Sequence, residues 1–285
     1  MMKTVHSNAE LREELAFVRS QGRTIGFVPT MGALHEGHRS LVRLSKQQTD
    51  VTVVSIFVNP TQFAQGEDFD RYPRTLESDA KILLEEKVEL LFLPDAAEMY
   101  PKGFATSVHV SGVTELYEGA IRPGHFDGVA TVVYLLMHEV EPTILFLGQK
   151  DAQQVAVLKR MVQDLRLPVM ITVGETVREG RGLALSSRNR MLDEEALSES
   201  DALYAALQTV RNRVFLGDDP EAAKRAGIAK FERIATHGKL DYLDIVHSET
   251  FQSVPSFERV GAPVTIIIAA RFGSTRLIDN MKIDT

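Results

Sequence analysis

"TIGFVPTMGALHEGHRSLVRL", residues 24–44, runs from an apolar segment through Pro29, Gly32 and Gly37 into Leu41, Val42 and Leu44 at helical spacing. That order predicts a strand, a tight loop and a helix. Further runs follow the same plan: "VTVVSIFV" (51–58), "ELLFL" (89–93), "TILFL" (143–147) and "VMITV" (169–173). They lack polar alternation, as strands covered on both faces do. Between them lie helical patterns over 75–87 and after Asp151, where Val155, Leu158, Val162 and Leu165 line one side. Strands of this kind separated by amphipathic helices predict a doubly wound parallel α/β sheet, whose ligands bind beyond the carboxyl ends of the strands.

Ahead of the first strand, Ser7 and Glu10 have capping-box spacing, Leu11, Leu15 and Val18 repeat at helical intervals, and Gly22 offers a stop. Past about residue 176 the texture changes. A polar loop, "REGRGLALSSRNR", precedes helical stretches at about 194–216 and 220–236 and the β-like runs "YLDIV" and "VTIIIAARF". The expected organisation is a first domain over 1–176 and a smaller C-terminal α+β domain over 177–285 that closes over the active site. No internal repeat or low-complexity segment is present.

Composition narrows the classes. Hydrophobic residues at 44% and charged residues at 25% of 285 are ordinary globular values. A formal net charge of -7 argues against general affinity for nucleic-acid backbone, though a local cationic pocket could hold phosphates. The chain has no cysteine, which removes disulfides and thiolate metal sites and fits a reducing compartment such as the cytoplasm. "MMKTVHSNAELREEL" lacks the apolar centre of a signal peptide, and no window approaches the roughly eighteen apolar residues of a membrane span.

The strand-end loops carry the chemistry. Glycine at 32 and 37 allows close approach to the backbone, while His35 and His38 share a face if the helix has begun. A helix N-terminus with two imidazoles suits phosphate. A single histidine there would most often be a surface residue; two bracketing a glycine after a buried strand change the balance. "HEGHR" is not the zinc-protease pattern H-E-x-x-H, and neither G-x-G-x-x-G nor the P-loop pattern occurs. The second strand ends in "FVNPTQF", with Gln62 as an amide donor and acceptor. The fourth ends in "LGQKDAQQ", where Lys150 is a point cation and Asp151 and Gln154 have capping-box spacing, which does not exclude ligand contact. "LALSSRNR" adds two hydroxyls and a guanidinium suited to bidentate phosphate contact.

Together "PTMGALHEGH", "FVNPTQF", "GQKD" and "LSSRNR", with "YPRT" (72–75), "RPGHF" (122–126) and "RLIDN" (276–280), closely resemble the pantothenate synthetases across nearly the whole chain. The resemblance implies a Rossmann-like domain of the H-x-G-H adenylyl-transferring class, here His35 to His38. It implies ATP-dependent joining of (R)-pantoate to β-alanine through a pantoyl adenylate, with release of AMP and pyrophosphate. Magnesium, a cytoplasmic location and a homodimer belong to the same expectation, with no nucleic-acid or membrane partner.

Carried over by position, the ATP site falls on Met31, Gly32, Ala33, Leu34, His35, Glu36, Gly37 and His38, on Gly148, Gln149, Lys150 and Asp151, on Val177, and on Leu185, Ser186, Ser187 and Arg188. His38 matches the proton donor, with His35, Lys150 and Arg188 as further catalytic residues. Gln62 and Gln154 match the pantoate-binding glutamines, and Gln62 also the β-alanine site. Asp79 stands where a magnesium-associated carboxylate is expected. The segment "AQGEDFDRYPRT" after Gln62 is a candidate lid. Two departures stand out: Gln149 replaces the usual glutamate and Leu185 a common methionine, and both are expected to alter nucleotide affinity rather than abolish activity. Rival readings are another nucleotidyl transferase of the H-x-G-H class, or a nucleotide-binding regulatory module without turnover.

Overall fold

The structure, a computed structural model, describes residues 2–64, 66, 67, 69–257 and 263–283. The chain divides into two compact units, Met1–Gly148 with Val157–Gly174, and Gln149–Ala156 with Glu175–Thr285.

The first unit contains β1 (Lys3–Val5), α1 (Asn8–Ser20), β2 (Ile25–Thr30), α2 (Glu36–Gln48), β3 (Val51–Ile56) and a 3-10 turn (Pro60–Gln62). There follow α3 (Leu76–Glu85), β4 (Leu90–Phe92), α4 (Ala96–Met99), α5 (Glu118–Ile121), α6 (His125–Val140), β5 (Ile144–Gly148), α7 (Ala152–Asp164), whose first turn belongs to the second unit, and β6 (Met170–Gly174). The six strands form one sheet in the order β1-β4-β3-β2-β5-β6, every pair parallel. From β2 the chain proceeds to β3 and β4 on one side, and from β5 to β6 on the other. The strand order therefore reverses between β2 and β5, the crevice where ligands of such sheets bind. The residues that follow these two strands are Met31 and Gln149.

Local signals explain the elements that the sequence announces. Ser7 Oγ accepts from the Glu10 N–H at 3.2 Å and the Glu10 carboxylate accepts from the Ser7 N–H at 3.1 Å, the reciprocal cap that starts α1. Val28, Val54, Leu91 and Phe146 from the strands pack with Leu34, Leu41, Val42 and Leu83 in one core cluster. Helix α6 is not anticipated by the periodicity. Ten of its sixteen residues are buried, which leaves a narrow polar face at Asp127, Tyr134 and His138, and its Val and Thr run reads as strand.

The second unit holds α8 (Glu194–Ser200), α9 (Ala202–Phe215), α10 (Pro220–Ile234) and an antiparallel sheet β7-β8-β9 (Lys239–His247, Val264–Phe272, Thr275–Ile283). Its core joins Leu203, Leu207, Val210 and Phe231 to Ile266, Ile268 and Ala270. The single helical stretch expected over 194–216 is interrupted at Asp201, which ends α8 and begins α9. Strand β9 escapes the sequence pattern because Asp279 and Asn280, both buried, interrupt its apolar residues. Among the described residues no helix is long and apolar enough to cross a membrane.

Candidate active site

In the first unit, β2 gives way to two residues in left-handed conformation, Gly32 (φ 81°) and Ala33 (φ 50°). The turn aims the Ala33 and Leu34 N–H groups inward, where they donate to the two oxygens of Asp79 at 2.9 and 2.8 Å. Thr75 Oγ1 donates to the same buried carboxylate at 3.1 Å. A Cβ on Gly32 would stand 3.1 Å from Asp79 Oδ2 and from Ile56. The glycine thus makes room for a carboxylate of the protein itself.

This placement gives Asp79 a structural task beside the one expected of it near magnesium. A magnesium ligand needs oxygen lone pairs turned toward the ion, whereas both Asp79 oxygens are turned toward backbone donors. No cluster of three or more His, Asp or Glu side chains suited to a metal exists among the described residues. Asp79 would offer magnesium at most the remaining lone pairs of one carboxylate, with the phosphates of ATP supplying the other oxygens, and no step is routed through the ion.

His35 is not in the helix but is its N-cap, in extended conformation (φ -140°, ψ 179°). Its Nδ1 accepts from the Gly37 N–H at 3.2 Å, and His38 Nδ1 accepts from the His35 N–H at 3.3 Å. The two rings form a capping box, with centroids 4.2 Å apart. Gly37 serves this cap: a Cβ there would lie 2.9 Å from His35 Cε1. A ring nitrogen that accepts carries no proton, so in both rings the proton resides on Nε2. The Gly37 and His35 N–H groups are consequently used by imidazoles, and the donors this motif presents are the Nε2–H groups of the rings.

Gln62 ends the 3-10 turn after β3 and is buried. Asn59, fully buried, donates to Gln62 Oε1 at 3.2 Å and to Gly128 O at 3.1 Å. Asn59 Oδ1 accepts from Thr61 Oγ1 at 2.9 Å and Tyr100 OH at 2.8 Å, so its amide is fully committed. Among the described residues the Gln62 amide nitrogen, by contrast, meets only the Met31 thioether, a weak acceptor. A buried amide with unspent donors is poised for a polar ligand.

His125 and Arg122 of the "RPGHF" motif stand behind Gln62. Burial, then the Arg122 charge, lowers the His125 pKa to about 4, against the opposing hydrogen bond to the Gln62 carbonyl. A folded-state value below the ordinary 6.5 means that the unfolded chain binds the proton first. The stability contributed is complete above pH 6.5 and is lost as pH falls toward 4, roughly 3 kcal/mol in all. Urea unfolding of wild type and His125→Asn at pH 7 and pH 4.5 checks this: the wild type loses more stability than the variant across that window.

In the second unit, Asn280 of β9 donates to the carbonyls of Gln149 and Lys150 at 2.9 and 2.8 Å, and its Oδ1 accepts from Gln149 Nε2 at 3.0 Å. The departure at position 149 therefore has a physical partner, since a glutamate would set a carboxylate against that oxygen. Lys150 Nζ contacts Asp151 Oδ1 at 3.3 Å, and Gln154 is half-buried in the first turn of α7. Arg178 pairs with Asp279, with Nη2 to Oδ1 at 2.9 Å, and lies over the Tyr204 ring. Burial pushes the Asp279 carboxyl up, opposed by Arg178, the Asn280 N–H and the Lys150 charge. Val177 O accepts from the Leu185 N–H at 2.9 Å across a short hairpin, and Ser186 Oγ caps the following 3-10 turn by accepting from the Arg188 N–H at 3.2 Å. The nucleotide residues expected in this unit thus hang on β9 and this hairpin.

A profile of the family described as pantoate-beta-alanine ligase matches residues 3–282. The chain belongs to the pantoate-beta-alanine ligase family. It is 45% identical over 283 residues to a pantothenate synthetase of Caldicellulosiruptor bescii, and 48% identical over 283 residues to one of Thermus thermophilus, each match covering 99% of both chains. A crystal structure of a Thermus thermophilus pantothenate synthetase superposes with a TM-score of 0.92 at 47% identity, covering 99% of each chain. A Francisella tularensis pantoate-beta-alanine ligase complexed with β,γ-ATP and β-alanine superposes with a TM-score of 0.78 at 33% identity over 99% of this chain and 98% of that one. Within this ligase family frame, Asn59, Asp279 and Asn280 were not singled out from the sequence as site residues. Their signal was their place inside the quoted motifs "FVNPTQF" and "RLIDN", as polar residues beside or inside otherwise apolar strands.

Of the candidate lid, residues 64–75, Gln65 and Asp68 lie outside the described residues. Elsewhere in it, Tyr72 and Phe69 stack edge-on against Phe63, and Glu67 pairs with Arg122 at 2.7 Å.

Proposed function

We propose that this chain condenses (R)-pantoate with β-alanine to pantothenate, driven by cleavage of ATP to AMP and pyrophosphate. The full-length match to the ligase family carries this reading. A carboxylate does not acylate an amine at neutral pH until it is joined to a leaving group. The pantoate carboxylate attacks the α-phosphorus of ATP, a P–O bond forms to the carboxylate oxygen, and pyrophosphate departs. The free amine of β-alanine then attacks the adenylate carbonyl, and AMP leaves with that oxygen.

Catalysis of this kind consists of positioning and of donors placed where charge accumulates. We assign His38 the proton donated to the departing oxygen, with His35 beside it, and Lys150 and Arg188 the cationic contacts to the phosphates. Nδ1 of each ring is spent on its cap, so Nε2–H is the group that would meet that oxygen with a hydrogen bond, and this supports the placing of His38. Backbone of residues 31–38, 148–151, 177 and 185–188 belongs to the proposed nucleotide site. Magnesium is assigned to ATP's phosphates, where it would neutralise charge. A cytoplasmic location and a homodimer rest on the family resemblance.

We assign Gln62 and Gln154 to pantoate, and Gln62 also to β-alanine; the uncommitted Gln62 amide supports this. Gln62→Ala is expected to raise the KM for pantoate about tenfold or more, with that for ATP little changed. Equal rises in both constants would contradict its substrate role. The reaction itself is tested by pyrophosphate release from ATP and pantoate, and AMP release that requires β-alanine. Turnover to a stable nucleotidylated product, insensitive to the amine, would overturn it.

A further inference from the structure

The motif "RPGHF" has no role in the site as assigned so far, yet two of its side chains converge on the main chain of Gln62. His125 Nδ1 lies 2.8 Å from the Gln62 carbonyl oxygen. An oxygen of that kind only accepts, so Nδ1 carries the proton and the neutral ring presents an unprotonated Nε2. Arg122 Nη1 lies 3.2 Å from that Nε2, the geometry of a donor meeting an acceptor. Arg122 Nη2 reaches the same Gln62 carbonyl at 3.4 Å. The guanidinium is itself held by Glu67, with Nε and Nη2 on the two carboxylate oxygens at 2.7 Å each. Burial acts to raise the Glu67 carboxyl, and the Arg122 pair outweighs it and lowers it.

Gln62 is thereby fixed from two ends. Asn59 holds its side-chain oxygen, and His125 with Arg122 holds its backbone carbonyl. What remains to respond to a ligand is its amide nitrogen. A carbonyl on a short 3-10 turn has no helix to complete its hydrogen bonding, so its orientation depends on such outside donors.

We propose that His125, supported by Arg122 and Glu67, is a positioning residue for pantoate: its Nδ1–H fixes the Gln62 backbone and so aims the Gln62 amide at the substrate. This rests on the reading of Gln62 as a pantoate contact. The ring does not touch substrate and transfers no proton in the reaction.

The test compares two replacements of similar size. In His125→Asn the amide nitrogen stands near the place of Nδ1 and keeps the donor; in His125→Leu the donor is gone. His125→Leu is expected to raise the pantoate KM about tenfold with the ATP KM unchanged, and His125→Asn to stay within about twofold of wild type in both. Folding of each is checked by its thermal midpoint, and Arg122→Met, which removes the second donor, replaces His125→Leu if the latter does not fold. Gln62→Ala is measured alongside. If Gln62→Ala raises the pantoate KM selectively while the donor-free variant does not, the positioning role is overturned and the reading of Gln62 stands. If Gln62→Ala has no selective effect, that reading falls and the positioning role falls with it. Equal loss in His125→Asn and His125→Leu would also overturn it, because a packing role does not distinguish a retained donor.

Discussion

His38→Ala is expected to slow formation of the adenylate about a hundredfold or more, the range for removing one preorganised donor from a site of developing charge. The structure refines that expectation, because His38 has two separable duties. Its Nδ1 caps the His35 N–H, and its Nε2–H is the group assigned above to the departing oxygen. His38→Asn can keep the first duty, since its oxygen stands near Nδ1. His38→Gln can keep the second, since its amide nitrogen reaches the region of Nε2. Single-turnover rates are expected in the order wild type, Gln, then Asn and Ala together. An Asn variant as fast as wild type would reduce His38 to a capping residue.

The second large effect is expected at Asp79. Replacing it with alanine leaves the buried Ala33 and Leu34 N–H groups without an acceptor, each costing about 1–3 kcal/mol. It also releases a turn held in left-handed conformation at Gly32 and Ala33. Asp79→Ala is therefore expected to lose about 2–5 kcal/mol of stability and to weaken ATP binding, because the loop leading to His35 and His38 loses its anchor. Asp79→Asn should behave similarly, since an amide group turned toward two donors satisfies at most one of them. Denaturant titration together with the ATP KM checks both. Unchanged stability with a shifted magnesium requirement would make the magnesium role the main one.

The parallel sheet was legible because β2, β3 and β5 are covered on both faces and say so in unbroken apolar runs. The start of α1 was legible in Ser7 and Glu10, a signal confined to four residues. The purpose of the glycines was not. Gly32 accommodates a carboxylate from α3, more than forty residues away, and Gly37 accommodates the ring of His35. A tight turn is visible in sequence, but the group that fills it is brought by the fold. The same holds for Asn280: the polar pair inside β9 concealed the strand, and only its closeness to Gln149 and Lys150 gives it a purpose. His35 shows where the spacing misleads, since the shared face expected if the helix had begun is not formed: His35 is the cap of α2 and not a member of its face.

In the proposed reaction the pantoate carboxylate attacks phosphorus and leaves its oxygen on AMP. Pantoate labelled with 18O in both carboxylate oxygens, turned over with ATP and β-alanine, tests it directly by mass spectrometry of the AMP. One labelled oxygen in AMP per turnover is predicted. Unlabelled AMP, or label recovered in phosphate alongside ADP, would contradict the account.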